Sequence, residues 1–378
     1  MVAAASVVVA VGTATGTLSA LGDRGGSDEA RPGLVNGSPS LDTPSAVPSA
    51  SEPASPSVSA SVSASPSARA SASPSAKRAS PGSTKVRTTT ATRLYLYPSS
   101  QVLDWVRDNP SDRRADVIES RIADRPAAVW FADYTPATIT SRVRAVTSGG
   151  AAQDRVPVVV AYAIPDRDCG GASQGGAPDL GAYDAWIDRF AAGLGSGEVV
   201  VVLEPDAIAQ SDCLSAAARA DRFASLARAG RVLKAANPRA RVYYDAGHSG
   251  WRPAAEQAAL LKQAGAASAA SSDGIFSNVS NFHTTSAEIA YDRQVLDALG
   301  GPSSLGAVID TSRNGNGAPP DGEWCDPAGR KIGRAPTLNT GEPRIDAYLW
   351  VKLPGESDGC KGTPGTFSPS YAYELASS

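Results

Sequence analysis

Seven short apolar runs in this chain end in side chains that can carry a proton or a charge. The ends read Asp133; Arg167-Asp168-Cys169; Glu204-Pro205-Asp206; Asp245-Ala246-Gly247-His248; Asn278 and Asn281; Asp310 with Arg313-Asn314; and Lys352 followed by Glu356 to Asp358. Carboxylates gathered in one place can divide acid from base, because like charges close together cannot all ionise. That is the chemistry of acid-catalysed bond hydrolysis. The chain has two histidines and no His-Glu-x-x-His, so a hydrolytic metal centre is disfavoured and no metal or cofactor is expected. No glycine-rich phosphate loop follows the first run, which disfavours a dinucleotide fold.

The elements that must position these residues are legible. The runs span 127–134, 156–165, 198–206, 241–248, 273–281, 305–315 and 347–359. Their apolar parts are continuous, the mark of strands buried on both faces. Amphipathic stretches at 180–194, 216–236 and 254–265 lie between them. Strand and helix in alternation predict an α/β fold. Seven strand ends carrying polar groups favour a distorted TIM-like barrel of about seven parallel strands, whose chemistry gathers at the C-terminal face. A doubly wound sheet would bring such ends together only near its switch point.

Composition divides the chain. Residues 1–25 are largely small and apolar, and read as a signal peptide or a membrane-anchor remnant. Residues 26–90 are rich in Ser, Pro and Ala and cannot bury enough surface to offset ordering entropy, so a disordered linker is expected. Residues 91–378 are long enough for one catalytic domain. The net charge of −3 and the scatter of arginines offer no footprint for nucleic acid. Four cysteines in a chain with export features suggest two disulfides, with three connectivities formally open. A secreted protein is expected, with cell-surface anchoring through the N-terminal segment as the alternative, acting as a monomer.

Six motifs in order resemble glycoside hydrolase family 6, the cellulases, over roughly residues 93–376, and the bacterial endoglucanases among them most closely. They are Tyr162-Ala-Ile-Pro-Asp-Arg-Asp168-Cys-Gly, Glu-Pro-Asp206, Asp245-Ala-Gly-His-Ser-Gly-Trp251, Ile-Asp310-Thr-Ser-Arg-Asn-Gly-Asn-Gly, Glu-Trp324-Cys-Asp-Pro, and Trp350-Val-Lys352-Leu-Pro-Gly-Glu356-Ser-Asp358-Gly-Cys. The resemblance implies an inverting β-1,4-glucanase. Asp206 would be its general acid, Asp168 the partner carboxylate that keeps the acid protonated, and Asp358 the candidate base. It implies Tyr162 beside the sugar ring and Asp245 in substrate binding or charge balance. Trp130, Trp251 and Trp324 would stack on sugars, with His248, Asn281, Lys352 and Glu356 on hydroxyls. Each has a plainer reading: Asp206 as a helix N-cap, Asp168 as an ion pair with Arg167 or a turn aspartate, Tyr162 as core, Lys352 as a counter-ion. The family's water-holding serine aligns with Gln174, and Ser173 stands one place before it. Trp105 and Trp186 read as core and Trp350 as packing.

In the same picture the cysteines pair as Cys169–Cys213 and Cys325–Cys360, pinning the carboxylate loops. A serine hydrolase is the rival enzyme, on Gly247-His-Ser249-Gly, but Trp251 stands where the elbow needs glycine. A carbohydrate-binding surface protein with weak catalysis is the rival of another class. The short segments after Cys169 and Asp358 predict an open cleft, hence internal cutting of β-1,4-glucan, with a cellobiohydrolase as the alternative.

Overall fold

The computed structural model describes residues 93–377. The expected signal or anchor segment 1–25 and linker 26–90 lie outside the described residues. Seven strands form one parallel sheet in sequential order: β1 (Val129–Phe131), β2 (Val158–Ala161), β3 (Val199–Leu203), β4 (Ala240–Asp245), β5 (Gly274–Ser277), β6 (Gly306–Asp310) and β7 (Ile345–Leu349). The sheet curls into a partial barrel. Its two edges approach at one end, where the Ala128 amide donates to Trp350 O at 2.9 Å.

Eight α-helices accompany the strands: α1 (Gln101–Asp108), α2 (Ala115–Ile118), α3 (Ile139–Ala152), α4 (Leu180–Ala192), α5 (Ala216–Ala236), α6 (Ala254–Gln263), α7 (Thr285–Leu299) and α8 (Pro369–Ser377). Their starts follow local chemistry. Ser100, Asp179, Ser215 and Thr284 each accept an amide of the first turn of α1, α4, α5 and α7, which satisfies donors the helix itself leaves open.

The continuous apolar runs are explained by two cores. On β3, Val199, Val201 and Leu203 pack under the helices, while Val200 and Val202 fill the barrel interior with Val158, Val160, Tyr243, Phe276 and Val308. Side chains alternate across a strand, so a strand buried on both faces must be apolar at every position. Between β6 and β7 the alternation fails: residues 311–344 form an irregular connection without a helix. That connection carries Trp324 and Cys325 to the C-terminal face of the barrel.

Candidate active site

Backbone strain clusters at the strand ends. Glu204, Asp206, Asp166, Asp168, Cys169, Asn278 and Ser280 all have φ between 48° and 68°, a region that non-glycine residues enter only when their surroundings hold them there. Each strain point aims a side chain toward the barrel mouth or holds a neighbour that does so.

Beyond β3 the chain makes an irregular turn and α5 begins only at Ala216, capped by Ser215. Asp206 therefore caps no helix. Beneath it lies Asp245, at the end of β4. Asp245 Oδ2 accepts the Ile208 and Ala209 amides at 3.1 and 2.9 Å, and Oδ1 accepts the Gly247 amide at 2.9 Å. These amides favour the ionised form of Asp245 against the burial that raises it. Asp206 has no such support. Burial first, then the charge of Asp245, then that of Asp168 push it up to about 8. The sequence reading gave the tuning charge to Asp168; the stronger charge is that of Asp245. The proton of this carboxylate pair thus rests on Asp206.

Glu204, wholly buried, joins two loops. Its carboxyl group accepts the Ala163 amide at both oxygens and the Ile164 amide at 3.0 Å. It ties the end of β3 to the segment that leads from β2 to Asp168. Burial pushes it up to about 7 against those amides.

Asp168 Oδ2 accepts both the amide and the hydroxyl of Ser173, at 2.8 and 2.9 Å. The serine proton is then committed, so the Tyr162 hydroxyl donates to Ser173 Oγ across 2.8 Å. Ser173, rather than Gln174, makes these contacts, and the alignment is one place earlier than the sequence suggested. Arg167 does not pair with Asp168. Its guanidinium donates to Ala132 O, Tyr162 O and Ser173 O and lies 4.4 Å over the Tyr162 ring. Gly171 is required by close approach: a Cβ there would stand 2.6 Å from Asp168 Oδ2.

On the opposite side, Asp358 is held by charge. Buried Arg313 donates to its Oδ2 at 2.6 Å, and Lys352 Nζ lies 3.3 Å from Oδ1. Lys352 is thus a counter-ion as well as a cleft residue. Asp326 organises the loop: its carboxylate accepts the Ser357 hydroxyl and the amides of Asp358, Cys360 and Lys361. Burial alone would raise Asp326; the Ser357 hydroxyl and those amides outweigh it and hold the group below its ordinary range. Glu356 is pushed up to about 7 by burial, against the charge of Lys352, and accepts Gln101 Nε2 at 3.2 Å.

One cleft of ≈ 1170 Å³ collects Asp168, Asp206, Asp358, Tyr162, Trp130, His248, Trp251, Asn281, Trp324, Lys352 and Glu356. Asp245 is the exception among the expected residues, lying behind the cleft wall. Trp130 is fixed by its indole N–H, which donates to Val351 O at 2.7 Å across the sheet edges, and it meets Tyr162 edge-on at 5.2 Å. Trp251 lies 5.2 Å from His248, and His248 stacks on His283 at 4.3 Å. Trp324 is 58% exposed, a large apolar face turned to solvent beside polar groups. The disulfides join Cys169 to Cys213 and Cys325 to Cys360. The first ties the Asp168 loop to the chain beyond Asp206, the second ties the Trp324 loop to that of Asp358.

The glycosyl hydrolases family 6 profile matches residues 87–374. The chain belongs to that family. It is 53% identical over 297 residues to Endoglucanase 1 of Streptomyces sp. (strain KSM-9), covering 78% of this chain and 81% of that one. It is 52% identical over 283 residues to Endoglucanase A of Thermobispora bispora, covering 75% of this chain and 61% of that longer protein. Its fold is similar to that of the endoglucanase Cel6 from Mycobacterium tuberculosis, solved with a methyl-cellobiosyl-4-deoxy-4-thio-β-D-cellobioside. The TM-score is 0.70 at 38% identity, over 76% of this chain and 98% of that one. The protein is thus a glycoside hydrolase with the family's partial barrel.

The rival readings lose their geometry. In this family 6 chain Ser249 donates its amide to Glu288, and the His248 ring accepts the Gly250 amide at Nδ1. Burial, then His283, pushes His248 down to about 3, so it is a neutral hydrogen-bonding group rather than a base poised near neutral pH. Among the described residues no His, Cys, Asp and Glu cluster could hold a metal, and no helix is long and apolar enough to cross a membrane. Trp186 is wholly buried core, Trp105 packs against Phe367, and Trp350, one place past β7, donates to Arg334 O. Sequence reasoning missed Glu204 and Asp326 as organisers and left Arg313 without a role. All three stand inside quoted motifs, but nothing in a motif shows which amides or charges a side chain will meet.

Proposed function

We propose that this family 6 hydrolase is a secreted endo-β-1,4-glucanase that cuts internal bonds of cellulose or soluble β-glucan with inversion. Asp206 is the general acid. The observation that carries the reading is the buried, still-protonated Asp206 at the wall of a cleft lined with Trp130, Trp251 and Trp324. Aromatic faces take the apolar C–H surface of a glucose ring, and polar groups between them take its hydroxyls. The exposure of Trp324 favours an open cleft, and so an internal cutter over a cellobiohydrolase. The endoglucanase relatives support the same choice.

Asp206 protonates the leaving glycosidic oxygen. On the opposite face of the sugar a water attacks the anomeric carbon and must lose a proton. Ser173 Oγ has given its proton to Asp168 and accepted that of Tyr162, so one lone pair is left to receive a water. The water proton passes to Ser173 as the serine proton passes to Asp168. Asp358, the base expected from sequence, has a cation on each carboxylate oxygen. The relay through Ser173 and Asp168 therefore needs fewer contacts to break, and Asp358 serves to orient Lys352 and Arg313. Two disulfides support export to an oxidising compartment.

The test is a proton NMR time course on a soluble cello-oligosaccharide, with wild type beside Asp206→Ala. The α-anomer forms first with wild type and is lost in the variant. First appearance of the β-anomer would refute inversion, and absence of hydrolysis by folded protein on several glucans would leave a carbohydrate-binding protein.

A further inference from the structure

Helix α7 carries two carboxyl side chains that the hydrolytic reading leaves unused. Glu288 and Asp292 lie one turn apart on its buried face, neither exposed to solvent. Each has one oxygen engaged. Glu288 Oε1 accepts the Ser249 amide at 3.0 Å, and Asp292 Oδ2 accepts the Ser277 hydroxyl at 3.0 Å. The second oxygens, Glu288 Oε2 and Asp292 Oδ1, are buried and meet no donor among the described residues. Two buried carboxylates this close cannot both be ionised. One proton held between Oε2 and Oδ1 satisfies both atoms with a charge-assisted hydrogen bond. In keeping, burial raises Glu288, and burial with the Glu288 charge raises Asp292.

The amide on Glu288 belongs to the loop between β4 and α6, which presents His248 and Trp251 to the cleft. Tyr291, on the same face of α7, donates to Ala246 O of that loop at 3.1 Å. The packing leaves little slack: a Cβ at Gly250 would stand 2.5 Å from the His283 ring, on which His248 stacks. We propose that Glu288 is a positioning residue for this loop, fixing His248 and Trp251 for sugar binding through the Ser249 amide. The proposal rests on the assignment of those two side chains to sugar binding. Glu288 does not line the cleft, so its loss acts on substrate binding rather than on the proton transfers.

Two variants and two readouts test this. Glu288→Ala leaves the Ser249 amide without an acceptor. KM for a cello-oligosaccharide rises about tenfold, the worth of one hydrogen bond, with kcat kept within about twofold. Hydrogen exchange of the 246–251 amides quickens by a similar factor. Glu288→Gln can still accept the Ser249 amide and supplies a donor to Asp292, so it restores both readouts. If Glu288→Ala does not fold, the Gln variant decides: a raised KM and rapid exchange there overturn the proposal. Unchanged exchange in a folded Ala variant overturns the positioning. Quickened exchange with unchanged KM refutes the sugar-binding role of His248 and Trp251, and the proposal's functional half with it.

Discussion

The proton on Asp206 makes two predictions that must agree. Its pKa is raised to about 8, by burial and by the charges of Asp245 and Asp168, from an ordinary value near 3.9. A general acid works only while protonated. The rate kcat/KM is therefore expected to hold as pH rises toward 8 and then fall. One unit above the pKa, about a tenth of the molecules keep the proton. The same group affects stability. Between the unfolded and folded pKa the native state holds a proton that the unfolded state has released. A raised carboxyl thus stabilises fully at low pH and loses that contribution as pH rises through the window from about 4 to about 8. The slope for one group is at most about 1.4 kcal/mol per pH unit. Glu204 and Glu356, both raised, add to the slope of wild type, so the difference from Asp206→Asn isolates Asp206. The assay is urea unfolding at intervals from pH 4 to 9, run with the pH–rate profile on a soluble cello-oligosaccharide. The variant is expected to have lost activity about 10²- to 10⁴-fold and to gain stability over wild type steadily as pH rises. Equal pH dependence of stability in the two proteins would refute the placement of the proton, whatever the kinetics.

Two further outcomes follow from the site. Ser173→Ala removes the link between Tyr162 and Asp168; kcat is expected to fall about 10- to 100-fold with KM little changed, which steady-state kinetics separate. A kcat as in wild type would mean that Ser173 carries no proton. Trp324→Ala deletes a ring already 58% exposed. Its unfolding midpoint should match that of wild type while KM for long oligosaccharides rises about tenfold; a large loss of stability would place the ring in the core instead.

Sequence alone determined the seven buried strands, because a strand covered on both faces must be apolar throughout, and runs such as Val199–Leu203 record that fact directly. Motif order identified the family and named the side chains that meet at the cleft. Which of the carboxyl groups holds the proton was decided by tertiary structure. Asp206 and Asp245 are the same residue type, each at a strand end. Only the fold gives Asp245 its amides from Ile208, Ala209 and Gly247 and denies them to Asp206. The Ser173 register was likewise invisible, since a one-place shift in a loop leaves no trace in periodicity. It became plain once Asp168 and Tyr162 stood on either side of one hydroxyl. Glu204, Asp326 and Glu288 share this character: each acts by meeting the amide of a residue distant in the chain. Sequence specifies which groups are present; desolvation and the donors around each one set its charge, and those exist only when the chain is folded.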